Sequence, residues 1–245
     1  MKISNAGEIE LPGSASRIDP AWFPQALFAP NRSRDRGPAA AGGHVKRAID
    51  IVLSGLLLVF VAPIFLGLAA IVRTDGGPTF FKQRRVGRGG QAFDCLKFRT
   101  MATDAETALD RLLMSDPAAA AEWRETRKLR SDPRITPVGR FLRATSIDEL
   151  PQLINVLRGE MSLVGPRPVP LQEYRDLYVP LGGAAAYLSV RPGLTGLWQV
   201  SGRSTTSYRE RVALDATYVK TISLVGDLRI LARTVGVVLR QQGAW

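Results

Sequence analysis

From Ala48 to Val72 the chain reads AIDIVLSGLLLVFVAPIFLGLAAIV, apolar on nearly every side and interrupted by one charge, Asp50. As a helix these 25 residues would reach about 37 Å, enough for a hydrocarbon core of about 30 Å. The pattern therefore predicts a membrane helix rather than the buried helix of a soluble core. Pro63 falls near its middle, where it removes one helical hydrogen bond and crowds the preceding turn. Both flanks are basic, with Lys46 and Arg47 before the run and Arg73, Lys82, Arg84, Arg85 and Arg88 after it. Because basic flanks stay cytoplasmic, two of them argue against ends on opposite sides. The pattern favours a helix broken at Pro63 that enters and returns on one face. A kinked spanning helix is the alternative, since membrane helices also tolerate proline.

The rest of the chain has no second apolar run of that length. Residues 1–43, rich in proline and glycine without a sustained period, read as a disordered tail. They lack the basic-then-apolar pattern of a signal peptide. Thr79–Phe81 and Ala92–Thr100 read as strands around the turn Gly87-Arg88-Gly89-Gly90, which lacks the context of a dinucleotide fingerprint. Residues 103–130 read as polar helix interrupted at Pro117, and Leu150–Leu157 as a short helix. Leu224, Leu228, Leu231, Val235, Val238 and Leu239 keep helical spacing, with Arg229, Arg233 and Arg240 elsewhere on the same helix. That stripe fits a membrane-surface helix or a core-facing one equally well. The expected class is α+β and mainly helical. The expected division is a tail (1–43), a re-entrant hairpin (44–73) and a soluble body on one side of the membrane (74–245) with a small β element and amphipathic surface helices.

Charge and composition narrow the chemistry. Lys plus Arg is 33 against Asp plus Glu 22, a net charge of +11 that calls for an anionic partner. One cysteine excludes a disulfide framework within the chain, and one histidine, His44, excludes a multi-histidine metal site. Aromatic residues such as Trp123, Trp198 and Tyr208 are too scattered for a nucleic-acid stacking platform, so no nucleic-acid partner is expected. Catalysis must then come from carboxylates, lysine, arginine or a bound metal.

Asp148 and Glu149, just ahead of Pro151, would sit at a helix start where free N–H groups attract anions. Adjacent carboxylates there could divide nucleophilic attack from metal binding. On composition alone, a capping box from Ser146 to Glu149 explains the same residues better. Lys97 and Arg99 would share one strand face, Arg143 precedes the acidic pair, and Arg167 and Arg191 lie among stiffening prolines. Singly, each of these cations reads as a solvated charge. Cys95 reads as core.

Taken together, KRAIDIVLSGLLLVFVAPIFL, CLKFRTM, SIDELPQLINVLRGEMSLVGPRP, RPGLTGLWQVSGR and ALDATYVKTISLVGDLRIL resemble the bacterial sugar transferases, the monotopic polyprenyl-phosphate phosphoglycosyl transferases. The match covers most of residues 45–240 and looks nearest to enzymes that start exopolysaccharide units with galactose or glucose. The resemblance reverses the reading of the acidic pair. It implies Asp148 as nucleophile and Glu149 as its partner, with Mg²⁺ (or Mn²⁺) at the pair. It places Lys97, Arg99, Arg143, Arg167 and Arg191 around the phosphates and nucleotide, and Pro63 at the membrane helix break. Ala62 stands where many members have serine before that proline. The implied reaction moves hexose-1-phosphate from a UDP-hexose to undecaprenyl phosphate through an aspartyl phosphosugar, releasing UMP. The implied setting is the cytoplasmic face of the inner membrane, with 74–245 as the cytoplasmic catalytic domain, among membrane lipid and downstream glycosyltransferases, and a homodimer is compatible with it. A basic membrane-anchored scaffold without catalysis is the competing reading.

Overall fold

The computed structural model describes residues 43–126, 129, 131–202 and 206–239. The tail expected over 1–43 therefore lies outside the described residues, apart from Gly43. Helix α1 (Gly43–Val72) is followed by the antiparallel hairpin β1 (Phe80–Val86) and β2 (Ala92–Phe98), paired from Phe80↔Phe98 to Val86↔Ala92. Next come α2 (Ala105–Ser115), α3 (Pro117–Thr126), α4 (Pro137–Ala144) and α5 (Gln152–Arg158). A helical stretch, α6 (Leu171–Glu173), passes into a π-helical turn at Tyr174–Tyr178, and α7 spans Ala184–Ser189. Strands β3 (Ser162–Val164) and β4 (Gly193–Thr195) form a short parallel pair, and α8 (Tyr208–Lys220) and α9 (Leu224–Leu239) complete the body. The mainly helical α+β class and the Pro117 interruption agree with the sequence pattern.

The expected break at Pro63 differs from what is observed: α1 continues helical from Gly43 to Val72 with Pro63 inside it. Proline deletes one hydrogen bond there and leaves a point at which the helix can bend while helical turns continue on both sides. Most of α1 presents apolar side chains outward, with Val59 76% and Phe60 82% exposed. Both ends are nonetheless tied to the same body. Lys46 Nζ donates to Asp227 Oδ2 at 2.6 Å, and Leu58 packs on the cluster containing Leu153, Val156 and Met161. At the other end Phe65, Leu68 and Ala69 pack beside Phe98 and Leu142, and Arg99 Nη2 donates to Val72 O at 2.8 Å.

Helix α5 lies between these anchor points. It buries Gln152, Leu153, Asn155 and Val156 and leaves Leu157 and Arg158 outward. It stops at Gly159, whose φ of 83° is a left-handed conformation suited to glycine at a helix C-terminus. Pro151 occupies the position before α5, so Asp148 and Glu149 belong to a separate 3₁₀ turn, Ile147–Glu149, one step earlier than the sequence implied.

Candidate active site

The turn carrying Asp148 and Glu149 is introduced by Ser146 at φ 57°, a left-handed backbone that serine rarely adopts and that costs about 1 kcal/mol or more. Ser146 makes no side-chain cap, and the Glu149 carboxylate turns to Lys97, so the capping box is not formed. Lys97 Nζ donates to Glu149 Oε1 at 2.7 Å and lies 3.6 Å from Asp148 Oδ2. Arg167 Nη2 reaches Glu149 Oε1 at 3.5 Å. Arg143 adds a positive field on Asp148 and is held by its Nε bond to Thr100 Oγ1 at 2.9 Å. That approach depends on Gly139, because a Cβ there would fall 2.0 Å from Thr100 O.

Asp148 is 9% exposed. Burial raises its carboxyl above the ordinary aspartate value and the Glu149 charge adds to this, while Lys97 and Arg143 oppose it. The result is a desolvated carboxyl group faced by the Lys97 ammonium, with burial and the neighbouring cations acting on it in opposite directions.

Two further devices fix this geometry. Asn155, fully buried, accepts from Leu96 N at 3.0 Å and donates to Asp94 O at 2.8 Å, stitching β2 to α5 and so setting Lys97 against the acidic turn. The stretch bearing Arg167 is tied down on both sides. Val164 O accepts from Lys46 and Tyr218, Gly165 N donates to Thr195 O, and Pro166 O accepts from Gly193 N. Beyond Arg167, Pro168 O accepts from Arg85 Nη1 at 3.0 Å and Val169 N donates to the Tyr187 hydroxyl at 3.1 Å.

Not every expected cation joins the acidic pair. Arg99 lies just beyond β2, and its guanidinium bonds Asp75, Val72 O and Met101 O. Arg191 donates from Nε to Gly159 O at 2.8 Å, at the opposite end of α5. Lys97, Arg143, Asp148, Glu149 and Arg167 are brought together; Arg99 and Arg191 are placed elsewhere.

The model of a family described as bacterial sugar transferase matches residues 41–241. The chain belongs to the bacterial sugar transferases. It is 47% identical over 221 residues to the exopolysaccharide production protein ExoY of Sinorhizobium fredii, covering 90% of this chain and 96% of that protein. It is 49% identical over 204 residues to the undecaprenyl-phosphate galactose phosphotransferase of Salmonella typhimurium, covering 82% of this chain but 42% of that protein. A UDP-glucose:undecaprenyl-phosphate glucose-1-phosphate transferase of Caulobacter vibrioides is 42% identical over 216 residues, 85% of this chain and 74% of that protein.

For a sugar transferase of this kind the donor set at the acidic turn is informative. Among the described residues no group of three or more His, Cys, Asp or Glu side chains converges. Two carboxylates facing one cationic position, filled here by the Lys97 ammonium, suit a hard ion completed by substrate phosphates, which is how Mg²⁺ binds. Sequence reasoning missed Asn155 and Arg85. Asn155 left a signal, an amide among the apolar residues of LINVL, whereas Arg85 looked like one more flank charge.

Proposed function

We propose that this sugar transferase moves hexose-1-phosphate from UDP-galactose or UDP-glucose to undecaprenyl phosphate, with Asp148 as nucleophile. The observation that carries the reading is the buried Asp148 carboxylate beside Lys97, with Glu149 and Arg167 adjoining. An Asp148 oxygen attacks the sugar-side phosphorus, the bond to the bridging oxygen breaks, and UMP leaves with that electron pair. An undecaprenyl phosphate oxygen then attacks the same phosphorus, and the Asp148–phosphorus bond breaks to restore the carboxylate. Lys97, Arg143 and Arg167 neutralise charge on the transferring phosphoryl group, and little proton transfer is needed because both leaving groups are anions. Asp148 and Glu149 would hold Mg²⁺, which supplies Lewis-acid neutralisation of phosphate charge when bound.

The membrane arrangement belongs to the same reading. A body that lies on one side of the bilayer and grips both ends of α1 supports entry and return on one face, because the far end of a spanning helix would be out of its reach. The cytoplasmic face follows from the basic flanks. The test withholds the lipid. Incubation with UDP-hexose labelled in the sugar, followed by digestion, should give a peptide containing Asp148 with a hexose-phosphate mass increment. A label on another residue, or sequential instead of ping-pong kinetics, would overturn the covalent route.

A further inference from the structure

The end of α5 remote from the acidic turn gathers positive charge for which catalysis has no use. Arg47 donates to Val156 O at 2.6 Å and to Leu157 O at 2.9 Å, and Arg191 donates from Nε to Gly159 O. These carbonyls belong to the last turn, where helical partners run out and cations are favoured. The bonds fix the guanidinium groups but cancel no charge, since a carbonyl is neutral. Burial and the fields of Arg47 and Arg88 all disfavour the charged form of Arg191, and Asp50 opposes them. The Asp50 carboxylate is itself committed to Ser162 Oγ and Leu163 N. Arg158, exposed at the end of α5, adds to the excess, while the acid at this end, Glu160, accepts from Asn155 Nδ2 at 2.6 Å. Around these cations the surface is apolar: Leu157 is 37% exposed, Val45 is exposed, and so are Val52 and Leu56 further along α1.

We propose that Arg47, Arg88, Arg158 and Arg191 form a binding site for the phosphate of an anionic membrane phospholipid, beside the start of α1. Charge excess selects an anion, and the apolar rim selects one that carries acyl chains. The reacting carrier phosphate is not the occupant, because it must meet Asp148. A helix of seven residues is about 10 Å long, too far for one phosphate to touch both ends. The proposal rests on the membrane reading of α1; the chemistry of Asp148 enters only in excluding the carrier phosphate as occupant.

The test uses the full chain in detergent, melted against dioleoylphosphatidylglycerol, dioleoylphosphatidylcholine, undecaprenyl phosphate and inorganic phosphate in separate titrations. Phosphatidylglycerol should raise the melting temperature saturably and phosphatidylcholine should not. The double variant Arg88→Gln/Arg158→Gln, which keeps the α5 carbonyl bonds, should raise the half-saturating concentration roughly tenfold or more. Arg191→Lys, keeping charge without the fork, should weaken the response less. Asp148→Asn should respond like wild type, so a failed catalytic reading leaves this site standing. Equal stabilisation by phosphatidylcholine, an undiminished response in the double variant, or tighter saturation by undecaprenyl or inorganic phosphate would each overturn it. Flotation with neutral phosphatidylcholine vesicles separates the two readings: protein that floats without a phosphatidylglycerol response lacks the site, and protein that fails to float defeats the membrane reading beneath it.

Discussion

Just ahead of α5, Lys97 and Arg167 meet carboxyl oxygens of Asp148 and Glu149, whereas at its far end Arg47 and Arg191 meet neutral carbonyls. The helix dipole favours this polarity, acids at the N-terminal side and cations at the C-terminal side. What differs is the charge left over. At the acidic turn the opposite charges hold one another in a geometry that an incoming phosphate can rearrange. At the basic end backbone oxygens hold the guanidinium groups in place and leave their charge to be answered from outside. A cation's partner, more than its position in the sequence, therefore decides what it is free to do.

The largest test of the acidic end is Asp148→Asn. It keeps the shape and removes the nucleophile, so turnover should fall by roughly a thousandfold or more. Its melting temperature should hold or rise, because burial penalises the charge that the amide lacks. Chelation of divalent ions should stop turnover too, with recovery on adding Mg²⁺ or Mn²⁺. Full activity in metal-free buffer would remove the metal from the reading.

Asn155 ties β2, and with it Lys97, to the helix that separates the two ends. Asn155→Leu would leave Leu96 N and Asp94 O buried without their partner, and would also take the amide donor from Glu160. A loss of about 4 kcal/mol is expected in chemical denaturation. Asn155→Asp should recover the bond from Leu96 N alone. A loss below about 1 kcal/mol in the leucine variant would mean that packing, not the amide, sets the spacing.

The sequence made some of this arrangement legible and hid the rest for physical reasons. Apolar length announced α1, and a glycine turn announced β2 and the start of β1, since both signals are local; the basic half of β1, 82–86, read as flank charge instead. Adjacent acids before Pro151 marked the proposed catalytic turn only when joined to the resemblance, because the same residues fit an ordinary cap. The separation of Arg191 from Arg167 was invisible. Both sit among prolines and glycines, and only the parallel pairing of β3 with β4 sends one guanidinium to Glu149 and the other to Gly159. Arg99 misled similarly, since strand alternation with Lys97 ends at Phe98 and Asp75 claims the guanidinium.

Asp215 sharpens the comparison as a carboxylate buried without a lysine. Burial lifts it from 3.8 to about 6, although a Tyr178 hydroxyl bond and the Arg211 charge both oppose the rise. The folded chain then binds more protons than the unfolded chain between those values. Stability should therefore fall as pH climbs from about 4 to about 6, by on the order of 3 kcal/mol, and level off above. In an Asp148→Asn background, which removes the other aspartate raised by burial, Asp215→Asn should erase that slope while still accepting the Tyr178 bond. A slope that survives the substitution would assign it to another group.

The smallest expected effect probes the basic end. Arg191→Gln loses a charge-assisted bond to Gly159 O, a contribution of about 2 kcal/mol. It also relieves repulsion from Arg47 and Arg88, so the net loss should be nearer 1 kcal/mol. These opposing terms respond differently to salt. The bond to a neutral carbonyl is short-ranged and barely screened, whereas repulsion among the arginines weakens as the Debye length shrinks from about 8 Å at 0.15 M to about 3 Å at 1 M. Added salt therefore stabilises wild type more than the variant, and the gap between them should widen at 1 M. Thermal melts at both salt concentrations, without added phospholipid, measure it directly. A gap that stays constant would mean that the arginines do not strain one another, and that the charge at this end of α5 is already answered within the protein.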